Sequence, residues 1–264
     1  QILRHLIEDS DAIIDLHSAA KGRENMPQIR ADLAHVGSNL LAKSFGIEII
    51  LDSKPPKGSL RKLANSMDIP SITYEAGGAD LLDHESVKVA IHGVLNSLRI
   101  MKMIPGKPNR PKFRVLASGS SWIRAGEGGL LDMFVSAGTL MKNGEVIASI
   151  TDPATPGLTV DVLAPEDGLV IGAATNPFTS AGMPVGHFLP ISKHLKLLEQ
   201  QIDENGRFIT CGSQGEPSWR EEADVDEVAL EGEWSEEGVD SEWTSSKIDD
   251  DVDTDGIGDG EEES

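Results

Sequence analysis

The sequence predicts an α/β fold, followed by a small all-β domain and an acidic tail. Within residues 1–104, short apolar runs alternate with segments whose apolar residues recur every three or four positions, as in a parallel or mixed sheet with flanking helices. After a Pro- and Gly-rich stretch, the apolar runs become short and turns follow at regular spacing, which predicts β structure. From residue 213 onward the chain is rich in Asp, Glu, Gly and Ser, a composition typical of disorder.

The first elements follow from this alternation. Residues 1–10 read as a helix, and the apolar run at 11–16 reads as a buried strand. Gly, Asn and Pro residues predict a loop over 17–27. A helical pattern over 29–46 then ends at Gly46, the residue type that most often terminates a helix.

Four further elements complete the predicted α/β part. Residues 47–51 form a second strand, and a short helix over 59–68 has Ser59 as its N-cap. A third strand covers 70–75 and leads into a Gly-Gly loop, and the longest helix covers 83–104. Ligands of such sheets bind beyond the carboxyl ends of the strands, so polar residues at those ends are candidates for a site.

The second half of the chain divides by composition. Short strands and turns from Phe113 to Phe188 predict a barrel-sandwich-like domain, and a further helical pattern follows and ends near Asn205-Gly206. The predicted organisation is an α/β domain at 1–104, a linker at 105–112, a β-rich domain at 113–190, a helix and connector at 191–212, and a disordered acidic tail at 213–264.

The net charge of −21 is concentrated in the tail. Residues 213–264 hold 21 acidic and two basic side chains, whereas residues 1–212 hold 23 acidic and 21 basic ones. The body therefore lacks the basic face that a nucleic-acid partner requires. No run of ~18 apolar residues predicts a membrane span, and no signal-peptide pattern opens the chain. A single cysteine, Cys211, agrees with a cytoplasmic location.

His17 is the first candidate for a functional residue. It follows the apolar run Ala12–Leu16, where a strand would hold the imidazole rigidly beside an open loop, as suits a metal ligand. Asp15 lies two residues earlier and points to the same side of the strand, so it could orient that ligand. The alternative is an ordinary histidine at the end of a strand, satisfied by backbone hydrogen bonds.

Glu75 is the second candidate, because it ends the predicted third strand and precedes Gly77 and Gly78. A carboxylate at such a position can act as a general base, and the glycines allow close approach of a ligand. Arg61 and Arg30 each offer a planar fork to a substrate carboxylate. The alternative for Glu75 is a capping or ion-paired carboxylate, and for the arginines it is a solvated helix surface.

Together these residues resemble the succinylglutamate desuccinylase/aspartoacylase family of zinc-dependent amidohydrolases, which is related to the zinc carboxypeptidases. The matching pieces are DAIIDLHSAAKGRENMPQIRAD, GSLRKLANSMDIPSITYEAGG and the β-rich domain. The resemblance covers residues 1–190 and leaves out the acidic tail.

The resemblance implies a deacylase that cleaves amides, or also esters, of small N-acyl amino acid-like substrates. It assigns His17 as one ligand of Zn²⁺, Glu75 as the base that activates water, and Arg61 as a partner for the substrate. The family's other two zinc ligands, in a His-x-x-Glu motif, are expected upstream of residue 1. His5 and Glu8 have that spacing but precede the Asp-Leu-His strand in a helix that bears no ligands.

The chain is accordingly expected to be a C-terminal portion of the enzyme that, by itself, binds zinc poorly and is inactive. Two alternatives stay open: a non-catalytic binding or regulatory remnant of the same fold, and an interaction protein built on the β-rich domain. The hairpin TDPATPGLT contains no lysine, which argues against a biotinyl or lipoyl carrier. The sequence leaves open whether the protein forms a homo-oligomer.

Overall fold

A computed structural model describes residues 5, 7–155, 157–191, 195–211 and 226–230. Its strands are β1 (Ile13–His17), β2 (Arg23–Ala31), β3 (Ile49–Asp52), β4 (Ser71–Gly78), β5 (Phe113–Ala117), β6 (Ser121–Arg124), β7 (Gly129–Met133), β8 (Leu140–Met141), β9 (Val146–Thr151), β10 (Thr159–Leu163), β11 (Gly168–Ala174), β12 (Phe178–Thr179), β13 (Pro184–Pro190) and β14 (Asp226–Leu230). Its helices are α1 (Val36–Phe45), α2 (Leu60–Ser66), α3 (His84–Ile100), α4 (Leu195–Leu198) and a 3₁₀ turn, Glu199–Gln201.

Polar side chains start each of the three longer helices. His35 accepts a hydrogen bond from the Ser38 amide, Ser59 from the Lys62 amide, and Asp83 from the Glu85 amide. Each interaction satisfies one of the backbone donors that a helix leaves unpaired at its N-terminus. Gly46 ends α1 with a φ of 85°, as predicted, because glycine adopts this left-handed conformation without steric strain.

A large mixed sheet forms the centre of the molecule. β1 pairs in parallel with β4, which runs antiparallel to β2, and β2 continues in parallel to β3 and then β5. The first residues of β2 also pair antiparallel with β11, which extends the sheet to β13 and β6. Helices α1 and α3 pack on one face, where Phe45 stacks on Tyr74 with ring centroids 5.2 Å apart.

The predicted loop at 17–27 is wrong at both ends, because His17 belongs to β1 and residues 23–27 belong to the nine-residue strand β2. Gly, Asn and Pro residues suggested a turn, but the strand accommodates the proline at an irregularity between Asn25 and Gln28. Proline lacks an amide donor, so it is tolerated at such a break in the ladder. The helix predicted over 29–46 consequently begins only at Val36.

The third strand is also longer than predicted and runs through Glu75 to Gly78. Gly78 pairs with Glu24, and a Cβ added there would lie 2.9 Å from the carbonyl oxygen of Arg23. The predicted Gly-Gly loop is therefore wrong. The close approach that the glycine allows is that of the neighbouring strand.

The β-rich half contributes to two sheets. β10, β9, β7 and β12 form a four-stranded antiparallel sheet, whereas β5, β6, β8, β11 and β13 belong to the large sheet. The large sheet thus contains strands from before and after the predicted linker at 105–112. The domain boundaries stay a prediction.

Within the tail predicted to be disordered, Asp226–Leu230 instead pairs in parallel with β5 as β14. The edge of β5 offers unpaired backbone groups to which a further strand can bond. The rest of 213–264 lies outside the described residues, as do residues 1–4 and 6 of the helix predicted over 1–10. No helix in the described ranges is long and apolar enough to cross a lipid bilayer.

Candidate functional site

His17 and Glu75 are direct neighbours on the parallel strands β1 and β4. Their side chains therefore share one face of the sheet, and Nδ1 of His17 lies 4.0 Å from Oε1 of Glu75. On the other side of the ring, Nε2 lies 3.0 Å from Oδ2 of Asp15. Because a carboxylate only accepts hydrogen bonds, Asp15 fixes the ring proton on Nε2 and leaves the Nδ1 lone pair on the Glu75 side.

Strand β2 supplies the next polar side chains around Glu75. Asn25 donates from Nδ2 to Oε2 of Glu75 at 3.3 Å, and Nε of Arg30 lies 3.6 Å from Oε1. Gln28 pairs with Glu75 across the strands and is fully buried, and neither atom of its amide has a hydrogen-bond partner. Buried amides are normally satisfied, so Gln28 marks a place where a polar molecule would be stabilised.

Arg61 lies beside this cluster but points its donors elsewhere. The guanidinium is 6% exposed and donates to the backbone oxygen of Ser53 at 3.0 Å and to its hydroxyl at 3.1 Å. Burial, and then the charge of Arg30, lower the pKa of Arg61 to about 10, while Glu75 opposes that shift. Arg61 therefore holds the segment after β3 and adds positive charge near Glu75, and its role in substrate binding stays a prediction.

The side chains present fit one position of a metal site. His17, oriented by Asp15, has the arrangement that metal-binding histidines adopt, with the second nitrogen held by a carboxylate. Among the described residues, however, no group of three His, Cys, Asp or Glu side chains could hold a metal ion. A tetrahedral zinc site needs three protein ligands and an open position, so this part of the chain supplies one of them.

An apolar cavity of about 470 Å³ lies next to the site, against α3. Leu16, Tyr74 and Ala76 line it from the sheet, together with Val87 and Ile91 of the helix. These sheet residues alternate with His17 and Glu75 and so face away from the polar cluster. His17 also lines the cavity, so the cavity adjoins the polar cluster at the end of β1.

The β-rich half contributes His187 to the polar face, and no local sequence pattern singles this residue out. The register places Asn25, Gly172, His187 and Trp122 in one row across four strands. Burial, and then the charges of Arg30 and Arg23, hold the pKa of His187 well below its usual range. The electrostatic effect of Arg30 shows that the two halves of the chain meet at this face.

Sequence reasoning does not select Arg23 and Asn25, which lie in the predicted loop, or Gln28, which lies between that loop and the predicted helix. The alternation of Gln28 and Arg30 with the buried Ile29 and Ala31 is the signal that could have revealed the strand. His187 gives no such signal, because its position follows from the pairing of β13 with β11.

Comparisons with known proteins agree with this geometry. Residues 1–101 match the family model described as the succinylglutamate desuccinylase/aspartoacylase catalytic domain. This match agrees with the resemblance predicted from the sequence. No curated protein sequence matches the chain.

Solved structures extend the likeness to the fold. The apo ectoine utilization protein EutE (DoeB) of Ruegeria pomeroyi is 20% identical with a TM-score of 0.64, covering 72% of this chain and 63% of that one. Its product-bound form has the same identity and TM-score, with 72% and 61% covered. A succinylglutamate desuccinylase/aspartoacylase from Rhodobacter sphaeroides is 20% identical with a TM-score of 0.60, covering 69% and 59%.

The chain thus spans about 60% of the length of these structures. At this level of identity the likeness concerns the fold alone, which is the mixed α/β fold of the desuccinylase/aspartoacylase proteins.

Proposed function

We propose that the protein is a zinc-dependent deacylase that hydrolyses the amide bond of small N-acyl amino acids. One observation carries the proposal: an imidazole oriented by Asp15 and the carboxylate of Glu75 meet on one sheet face, from neighbouring strands. Membership of residues 1–101 in the desuccinylase/aspartoacylase family gives that pair its expected chemistry. The product-bound relative indicates a small-molecule substrate for that protein, and we extend this to the present chain.

In this proposal His17 is one ligand of the zinc ion, through Nδ1, and the family's His-x-x-Glu motif provides two more. Zinc in such a site supplies Lewis acidity, which lowers the pKa of water to about 7 and polarises a carbonyl oxygen. Asp15 keeps the imidazole in the required tautomer through its 3.0 Å contact with Nε2.

Glu75 carries the proton. It removes a proton from the attacking water as the water oxygen bonds to the amide carbon, and it returns that proton to the nitrogen as the C–N bond breaks. Asn25 and Arg30 hold the two carboxylate oxygens, at 3.3 and 3.6 Å, and so orient Glu75 toward the reacting atoms.

The test is to express the full-length native protein that contains this sequence, measure its zinc content, and assay a panel of N-acetyl and N-succinyl amino acids. The proposal expects about one zinc per chain and release of a free amino acid, both abolished by a chelator and restored by zinc. A folded protein that holds no zinc and releases no amine from the panel would instead support the non-catalytic remnant of the same fold.

A further inference from the structure

Asn25 lies between two glycines that belong to different strands. On one side it pairs with Gly77 of β4, and on the other it pairs with Gly172 of β11, in the β-rich half. Neither neighbour carries a side chain, so the Asn25 carboxamide has room to reach diagonally to Glu75, two residues before Gly77. Nδ2 of Asn25 lies 3.3 Å from Oε2 of Glu75.

An irregularity in β2 places Asn25 on the face of the site. The pairing register shifts by one residue between Asn25 and Gln28, so three steps along β2 oppose two steps along β4. In a regular strand, residues three positions apart project to opposite faces of the sheet. The extra residue cancels that difference, so Asn25 and Gln28 both project to the face of Glu75. The bulge thus brings Asn25 to Glu75, and β11 determines what lies on its other side.

Gly172 packs against the oxygen of the Asn25 carboxamide. A Cβ added at Gly172 would lie 2.7 Å from Oδ1 of Asn25, well inside the ordinary contact distance of non-bonded atoms. The next atoms, the carbonyl oxygen of Glu24 and Cβ of His187, would each be 3.3 Å away. Oδ1 is at the rotatable end of its side chain, whereas the other two are not. A side chain at position 172 would therefore first displace the amide that contacts Glu75.

The two ends of this carboxamide have different neighbours. A carboxylate only accepts hydrogen bonds, so Nδ2 faces Glu75 and Oδ1 lies on the side of Gly172. From these observations we infer that Gly172 is a positioning residue for Glu75: it fixes the orientation in which Asn25 holds the carboxylate. The inference rests on the proposed function and gives the β-rich half a part in hydrolysis. Gly172 acts through Asn25 and needs no contact with the substrate.

The first experiment measures kcat and KM of Gly172→Ala in the full-length protein, with an N-acyl amino acid that the wild type hydrolyses. Misplacing a catalytic group by about 1 Å can cost about 10²-fold in rate. We expect kcat to fall about 10–100-fold and KM to change less than about threefold, because the lost interaction acts on the transition state. Gly186→Ala is the matched control and should keep the rate, since its new Cβ would lie 3.7 Å from the nearest atom, the carbonyl oxygen of Gly172.

A double-mutant cycle separates positioning from general damage to the sheet. Asn25→Ala removes the carboxamide and should itself lower kcat about 10–100-fold. In that background Gly172→Ala has no amide to displace, so it should lower kcat by no more than about a further twofold. Full multiplication of the two losses would show that Gly172→Ala acts by another route and would overturn the inference.

Urea unfolding of each variant decides the case in which Gly172→Ala does not fold. Asn25→Ala removes the atom that the new methyl group would meet at 2.7 Å, so the double variant should then recover the fold. That recovery would assign the conflict to Asn25, as the inference requires. A double variant as unstable as Gly172→Ala would contradict it.

A measurement without turnover keeps the inference separate from the proposed function. The side-chain amide resonance of Asn25, identified in ¹⁵N-labelled protein by its loss in Asn25→Ala, reports the contact with Glu75. Glu75→Gln removes the charged acceptor and should shift this resonance, Gly172→Ala should shift it in the same direction, and Gly186→Ala should leave it in place. A resonance that Glu75→Gln does not move would overturn the inference.

The two proposals can fail independently. A protein without hydrolytic activity in which Gly172→Ala shifts the Asn25 resonance would uphold the positioning by the β-rich half and reject the deacylase. An active enzyme whose folded Gly172→Ala variant keeps both its kcat and the Asn25 resonance would reject the positioning and leave the deacylase proposal standing.

Discussion

Two carboxylates in the interior of the sheet region have very different surroundings. Glu48 lies just before β3, is 3% exposed, and accepts from the Cys211 amide through both oxygens at 3.0 Å. Burial raises the pKa of Glu48 to about 7, against the opposing effects of that amide and Arg114. Glu75 instead meets an imidazole, an amide and a guanidinium from two neighbouring strands.

The comparison shows that a shifted pKa does not by itself identify the carboxylate of the candidate functional site. Glu48 holds the segment around Cys211 against the sheet, and the Cys211 thiol, its pKa raised to about 12 mainly by burial, is unreactive at neutral pH. At Glu75 the informative feature is convergence of chemically different side chains, with the unpartnered amide of Gln28 beside them. We therefore propose Glu75, and not Glu48, as the functional carboxylate.

The largest expected effect is that of Glu75→Gln on hydrolysis. Glutamine cannot transfer the proton, so kcat should fall about 10²–10⁴-fold while the protein remains folded. Steady-state rates with an N-acyl amino acid measure this. Glu85→Gln, an exposed change on α3, is the matched control and should retain the rate. Full activity of Glu75→Gln would contradict the proposal that Glu75, unlike Glu48, acts in hydrolysis.

Asp15→Asn should weaken zinc binding about 10–100-fold, because the carboxylate no longer fixes the tautomer of His17. The measurement is competition for zinc with a chelating indicator, which needs no substrate. Asp11→Asn removes an exposed carboxylate near the start of β1 and should leave the affinity unchanged. Unaltered zinc affinity in Asp15→Asn would contradict the assignment of His17 as a ligand.

Glu48 should govern the pH dependence of stability and not of activity. Its pKa is higher in the folded than in the unfolded state, so the folded state binds a proton more tightly and stability falls as the pH rises from 4.5 to 7. The shift corresponds to about 3 kcal/mol. The free energy of unfolding of Glu48→Gln minus that of the wild type should therefore be larger at pH 8 than at pH 5.

Urea unfolding of both proteins at the two pH values tests this, with Glu85→Gln as the control that keeps the wild-type slope. A Glu48→Gln protein whose stability relative to the wild type is the same at pH 5 and pH 8 would contradict the burial argument.

His187 should give a smaller slope of the opposite sign. Its pKa is held below the unfolded value of 6.5, so the unfolded state binds the proton first and stability is lost as the pH falls below 6.5. Between pH 6.5 and 5 the loss cannot exceed about 2 kcal/mol. His187→Gln should lack it, whereas His84→Gln, on the exposed first residue of α3, should retain it. The same urea series records both effects.

The sequence was most informative where a local pattern has a local cause. Strands β1 and β3, helix α2 with its Ser59 cap, and the end of α1 at Gly46 all follow from short-range preferences. Segment 23–31 was mispredicted, because its asparagine and proline, together with the preceding Gly22, outweighed a short alternation that the sheet enforces. A single proline is compatible with a strand when pairing can break at its position, and only the partner strands decide that.

By itself the sequence determined which segments form buried strands such as β1 and β3, the chemical types of the candidate residues, and the match of residues 1–101 to one family model. The tertiary structure decided which side chains share a face with Glu75, above all those of β2 and the distant His187. Neighbours across a sheet depend on the register of long-range strand pairing, and a shift of one residue would turn each of these side chains to the other face. That register is a property of the folded sheet, so no local stretch of the chain encodes it.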